Sequence, residues 1–184
     1  MQDDWQKAEK FLKNDGVVVL PTDTLYGIVA SVDSKKAIDK IYKIKKRDKT
    51  KALIVLISSV EQLKSFSIKG DFSNIFRPKV SVLLFCGIKF IYIHRGTKEI
   101  AFRLISSKNK NLHNLIKKVG PIVAPSANRE NDKPAETIKE AKDYFENNID
   151  YYINGGVKRG EPSTLIRVKD NKVEILRQGT VKFK

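Results

Sequence analysis

One cysteine, Cys86, leaves this 184-residue chain without an internal disulfide and points to a reducing compartment. Only two histidines occur, His94 and His113, and they stand apart without Cys/His ligand spacing, so no protein-held metal site is expected. No apolar run approaches the ~20 residues that span a bilayer. The first ten residues, MQDDWQKAEK, lack the basic start and apolar core of a signal peptide. These absences give a cytoplasmic protein with no membrane partner as the expectation. Also missing are a P-loop, a dinucleotide glycine fingerprint, a nucleophile elbow and a zinc-protease helix. Any chemistry must then be positional and electrostatic, built from hydroxyls, amides and cations.

What the chain has in quantity is positive charge. It carries 36 Lys and Arg against 21 Asp and Glu, a formal net charge of +15. Such an excess implies a polyanionic ligand, an anionic surface or a merely lysine-rich composition. With 41% apolar and 31% charged residues the chain is globular, and its length suits a single domain over 1–184. The charge is densest at the end of Gly16–Lys51. That stretch reads as a buried strand, a loop of hydroxyls with one carboxylate, and a helix ending in cations. Such a pairing can hold an anionic small molecule or RNA.

Taken in order, Trp5, Ala8, Phe11 and Leu12 recur at helical spacing and Asn14-Asp15-Gly16 stops the helix. Val17 to Leu20 is an unbroken apolar run, the pattern of a strand covered on both faces, with Pro21 ending its pairing. Ile28 to Ala30 follows. Ser34 caps a second helix whose buried stripe is Ala37, Ile38, Ile41 and Tyr42, with its lysines on the solvated side and end. Leu53 to Ile57 is a strand, and Ser59 with Gln62 forms a capping box for a short helix to Phe66. Strands are predicted over Val80–Phe85, Phe90–His94 and Ile100–Ile105. A helix carrying Leu112, Leu115, Ile116 and Val119 ends at Gly120, and a short strand over Ile122–Ala124 follows. Thr137 and Glu140 form a capping box for a helix carrying Ile138, Ala141 and Phe145. The chain closes with Tyr151–Ile153, a glycine-rich loop, and Thr164–Val168 joined to Lys172–Leu176 by an Asp170-Asn171 turn. Alternating strands and helices early, with strand runs later, predict an α/β fold: a twisted mixed sheet with flanking helices.

Five constellations carry candidate chemistry, each with an ordinary structural alternative. Thr22-Asp23-Thr24 is a turn former or a hydrogen-bonding loop for a small polar substrate. Lys45, Arg47 and Lys51 are a solvated helix end, or a phosphate site with Arg47 as a two-pronged donor. Ser126 and Asn128 follow a strand and a proline, the usual position of ligand loops in α/β proteins. The run from Gly155 to Thr164 suits an anion-binding nest or hairpin geometry equally. Arg103 and Arg177 lie in or just after apolar strands, where an arginine needs an anion or an internal carboxylate.

The order of these signals is specific. Leu20-Pro21-Thr22-Asp23-Thr24-Leu25-Tyr26-Gly27 is followed by Lys45-x-Arg47, Arg103, Ala124-Pro125-Ser126-Ala127-Asn128, Gly160-x-Pro162-Ser163-Thr164-Leu165 and Leu176-Arg177-x-Gly179. The series, spanning Gly16 to Gly179, resembles the YrdC-like family, the threonylcarbamoyl-AMP synthases. The resemblance implies a twisted sheet around a basic cavity. It also implies that L-threonine, bicarbonate and ATP are joined into threonylcarbamoyl-AMP with release of pyrophosphate, for a downstream threonylcarbamoyl transferase acting on tRNA. By motif position, Thr24, Leu56, Arg103, Ala124 and Ser163 would contact threonine. Arg47, Lys51, Ser126, Asn128, Pro134 and Arg177 would surround ATP, with Lys45 and Arg47 as the catalytic cations and Mg2+ arriving with the nucleotide. This chain departs from the family in having Asp48 and Ala52 where prolines are common, and a shortened Pro78-Lys79-Val80-Ser81 segment. Asp48 is placed to draw the Arg47 guanidinium away from phosphate. The alternative is a basic RNA-binding module without nucleotide turnover, although no aromatic-rich RNA-recognition signature occurs.

Overall fold

Val17, Val18, Val19 and Leu20 are all fully buried, yet they serve two different cores. Successive side chains of a strand point to opposite faces. Val17 and Val19 therefore join one apolar cluster while Val18 and Leu20 join the other. That alternation sets the architecture of this computed structural model, in which residues 2–72, 74–169 and 172–182 are described. A mixed sheet is sandwiched between helices on both faces.

The strands are β1 (Val18–Pro21), β2 (Tyr26–Ser31), β3 (Val55–Ile57), β4 (Val80–Phe85), β5 (Glu99–Leu104), β6 (Ile122–Val123), β7 (Tyr151–Tyr152), β8 (Thr164–Lys169) and β9 (Lys172–Arg177). Among the described residues they form one sheet in the order β7-β1-β2-β6-β3-β5-β4-β8-β9. Pairing is parallel for β1/β7, β3/β5 and β4/β8, and antiparallel elsewhere. The mixed α/β sheet expected from the sequence is therefore present. β1 ends at Pro21, which is itself still paired with Tyr26 in the hairpin to β2.

The helices are α1 (Gln2–Lys13), α2 (Lys35–Ile44), α3 (Ile91–His94), α4 (Lys110–Val119) and α5 (Ile138–Phe145). The Ser34 hydroxyl accepts from Ala37 N at 3.1 Å and starts α2, which buries Ala37, Ile38, Ile41 and Tyr42 as predicted. Thr137 likewise caps α5 through Glu140 N, although the Glu140 carboxylate accepts from Glu136 N instead of closing a box on Thr137. α2, α3 and α5 cover one face with the larger cluster. α1 packs on α4 over the other, where Ala8, Leu12, Leu112, Leu115 and Ile116 are buried. Each leucine or isoleucine side chain so withdrawn from water stabilises the fold by about 1.5–3 kcal/mol.

Two elements differ from the sequence expectation. Phe90–His94 is not a strand. Ile93 N and His94 N bond locally to Phe90 O, and Phe90 and Arg95 sit at φ of 61° and 52° on either side of the helical turn. Phe90 and Ile93 are buried three residues apart, a helical spacing, with the Phe90 ring 4.6 Å from Phe66. Val60–Phe66 is a 3-10 helix without a Ser59 side-chain cap, because Gln62 Oε1 accepts from Ser58 N instead. The predicted Asp170-Asn171 turn lies outside the described residues.

α1 and α4 cover only part of their face. Past β3, on β5, β4 and β8, the residues facing that side are Ala101, Arg103, Ser81, Leu83 and Leu165, and they line a cavity. Their neighbours Ile100, Phe102, Val80, Val82 and Ile166 point the other way into the core. The site lies where one helical layer stops.

Candidate functional site

The cavity has a volume of about 340 Å³, at the lower end of the range for small-molecule sites. The β-sheet supplies its floor, and three loops supply its walls. The first is the segment after α2. Lys46 takes a left-handed φ of 50°, Lys46 N bonds to Lys43 O and Arg47 N to Tyr42 O, a Schellman termination with lysine where glycine is usual. That geometry delivers Arg47 to the cavity wall. Its Nη2 donates to Ala52 O at 2.9 Å. Asp48 does not capture the guanidinium: its Oδ1 accepts from Thr50 N and Thr50 Oγ1 in a local turn.

The second wall is Ala124, Pro125 and Ser126, laid with the following Ala127 and Asn128 against β2. Ile28 N donates to Pro125 O, Ala127 N donates to Tyr26 O, and Gly27 bridges to Ser126. On its other side Gly27 faces the β1–β2 loop, where a Cβ would stand 2.9 Å from the Thr22 methyl carbon. The third wall is Pro162–Ser163 with the end of β9. Ser163 Oγ lies 2.7 Å from Ser81 Oγ, and Arg177 Nη2 donates to Ser163 O at 2.9 Å. Ser81, at the start of β4, thus joins the lining, a contribution the sequence reading missed.

Lys45 is not part of a solvated helix end. It is 2% exposed, and its Nζ donates to Ser126 O at 2.6 Å and to Asn128 O, tying the end of α2 to the second wall. Burial pushes its ammonium down to about 7, Arg47 adds to the effect, and Glu130 opposes it. Glu130 reinforces the tie: its N donates to Lys45 O, its carboxylate accepts from Asp48 N, and it pairs with Lys51. Nothing in the sequence marks Glu130, because its partners lie about 80 positions away.

Arg103 is 4% exposed on the floor and pairs with Asp23 at 3.0 Å. Of the two partners its strand context allowed, the internal carboxylate is present. Burial lowers the Arg103 pKa, Arg177 adds to this, and Asp23 opposes it.

Seven of the residues singled out by motif position therefore line one cavity: Arg47, Arg103, Ala124, Ser126, Pro134, Ser163 and Arg177. Five do not. Lys45 lies behind the wall. Lys51 is exposed and ion-paired with Glu130. Asn128 is a loop brace, accepting from Ser126 Oγ and donating to Arg129 O and Asp132 O. Leu56 is in register with Arg103 but fully buried under α4, where it packs with Ile105 and Leu112. Thr24 Oγ1 lies 3.3 Å from Thr22 Oγ1 within the β1–β2 loop. The glycine-rich loop is not an open anion nest, because Gly155 N, Gly156 N and Lys158 N donate to Tyr26 Oη, Asn154 Oδ1 and Glu136 O. A wider recess of about 680 Å³ flanks the 3-10 segment, but none of the motif residues reaches it.

The cavity presents three guanidinium groups, hydroxyls and backbone carbonyls, with no carboxylate among its lining residues. Such a lining suits an anionic small molecule. The Sua5/YciO/YrdC family, which carries the description telomere recombination, matches residues 10–179, and the chain belongs to that family. A Methanocaldococcus jannaschii protein named "Putative threonylcarbamoyl-AMP synthase" is 26% identical over 98% of this chain and 89% of its own. The P. abyssi Sua5 crystal structure complexed with L-threonine matches 97% of this chain with a TM-score of 0.87 at 26% identity. This chain spans 55% of that protein's length. E. coli YciO, at 21% identity, shares the fold with a TM-score of 0.85, covering 99% of this chain and 92% of its own.

Proposed function

We propose that the protein is an L-threonylcarbamoyladenylate synthase, a nucleotidyltransferase that makes threonylcarbamoyl-AMP for tRNA modification. The observation that carries this reading is the convergence of Arg47, Arg103, Ala124, Ser126, Pro134, Ser163 and Arg177 on one cavity. The family and the L-threonine complex of the P. abyssi relative support it.

In this reading the threonine carboxylate is received by Arg103, and its hydroxyl by the short polar side chains of Ser163 and Ser81. The amine takes up the carbon of bicarbonate with loss of water, giving a carbamate. A carbamate oxygen then attacks the α-phosphorus, the bond to the bridging oxygen breaks, and pyrophosphate leaves with the electron pair. Anion meets anion in that step, so positioning and charge neutralisation by Arg47 and Arg177 are the main catalytic contributions. Lys45 acts through the carbonyls it holds, keeping Ser126 in place. Mg2+ brought with ATP would supply further charge neutralisation on the triphosphate, whose phosphates Arg47 and Arg177 would face. Among the described residues no three His, Cys, Asp or Glu side chains gather into a group that could hold a metal. The product is an activated mixed anhydride, consumed by a transferase acting on tRNA. Direct contact with RNA would fall to exposed Lys43, Lys46 and Lys49 beside the site.

Purified protein given L-threonine, bicarbonate and Mg-ATP is expected to form threonylcarbamoyl-AMP and pyrophosphate in equal amounts. ATP hydrolysis independent of threonine, without the adenylate, would overturn the reading.

A further inference from the structure

The three guanidinium groups of the cavity are held in two ways. Arg47 and Arg177 donate to neutral oxygens, those of Lys51, Ala52 and Ser163. Arg103 is ion-paired with a carboxylate, Asp23. Its side chain is also dry, 5% exposed against 16% for its partner. A buried guanidinium stays charged, so its desolvation is costly unless a counter-ion sits beside it, and that counter-ion also fixes its direction.

Two details separate this pair from an ordinary structural ion pair. The ion pair is a single contact, Arg103 Nη2 to Asp23 Oδ1 at 3.0 Å, without hydrogen-bond geometry, and Arg103 Nε is buried without a hydrogen-bond partner. The carboxylate also sits on a stiff support. Thr22 Oγ1 donates to Leu25 O at 2.6 Å and accepts from Thr24 N and Leu25 N, locking the hairpin tip that carries Asp23. Arg103 itself comes from β5 in the interior of the sheet. A fixed anion thus meets a side chain whose donors are only partly used.

We infer that Asp23 is a positioning residue, the fixed counter-ion that keeps Arg103 aimed into the cavity to receive the carboxylate of the amino-acid substrate. The inference rests on reading the cavity as an L-threonine site. Asp23 acts through Arg103; it lies outside the cavity lining.

Asp23→Asn keeps the shape and removes the charge. The expected result is a KM for L-threonine raised about tenfold or more, the loss of charge-assisted alignment at one guanidinium, with the KM for Mg-ATP within about twofold. Asp23→Glu, which restores the charge, is expected to recover most of the loss. Equal KM values for variant and wild type, or a KM for threonine that falls, would overturn the inference, the latter by making Asp23 a competitor for Arg103. So would a loss confined to kcat in proportion to the folded fraction by circular dichroism. If Asp23→Asn does not fold, the same split in weaker form is expected of Asp23→Glu, and its absence is equally fatal. Calorimetry separates the two levels. Wild-type protein that binds no L-threonine overturns the functional reading and this inference with it, whereas wild-type binding with unchanged affinity in Asp23→Asn overturns this inference alone.

Discussion

Replacing Lys45 by methionine tests the least ordinary feature of the site, an ammonium enclosed behind the cavity wall. Methionine has nearly the same length and keeps the stem packing, but it leaves Ser126 O and Asn128 O without their donor. In the unfolded chain the lysine titrates near its ordinary 10.5, and in the fold burial brings it to about 7. Across that window the unfolded chain binds more protons than the folded one, so stability rises with pH. Integrated from about pH 7 to about pH 9, the gain is about 1–2 kcal/mol, the two carbonyl acceptors keeping it at the lower side by favouring the ammonium. Two lost acceptor contacts cost about 1–3 kcal/mol each, and the removed desolvation penalty offsets much of that. At neutral pH Lys45→Met is therefore expected to stay folded, and the wild-type advantage over it is expected to widen as pH rises. The assay is urea unfolding of both proteins at half-unit pH steps. A wild-type minus variant difference that is flat across the window, or that shrinks with pH, would refute the reasoning.

Other consequences can be checked alongside. Arg47→Ala and Arg177→Ala should each cut turnover about tenfold or more while leaving the unfolding midpoint nearly unchanged, since both groups donate mainly to backbone carbonyls at the cavity edge; steady-state kinetics and thermal melts together decide. Gly179→Ala should lower the melting temperature by several degrees, because its Cβ would collide with the Pro162 carbonyl oxygen; that loop holds Ser163 under Arg177, so the KM for threonine should rise as well. Any RNA retained by the exposed lysines after α2 should be released steeply by salt, whereas a saturable complex surviving high salt in a protein inactive with ATP would favour the RNA-binding alternative.

Much of this molecule was legible in the order of its residues. Local signals act over a few positions, and they held: the Ser34 cap, the stripe from Ala37 to Tyr42, the doubly covered run from Val17 to Leu20, and Gly120 at the end of α4. The motif series, through the family resemblance that its order carries, also picked out seven residues that line the cavity. Phe90–His94 escaped because a short apolar run has the same composition in a strand as in a helical turn, and flanking left-handed residues decided the matter.

Only the tertiary structure decided which charges work as charges. Along the chain Lys45 is one of seven cations between Lys40 and Lys51, and nothing distinguishes it. In the fold it is sealed behind Ser126, while Lys51 beside it stays exposed and paired with Glu130. Asp23 and Arg103 are 80 positions apart, and their meeting depends on β5 reaching the sheet interior beside the β1–β2 hairpin. Sequence sets what a residue can do within a helical turn or a strand pair. Burial, which lowers the pKa of Lys45, and the meeting of Arg103 with its counter-ion are set by elements far apart in the chain. The fold and the ordered motifs were therefore readable from sequence alone, and the electrostatics of the site were not.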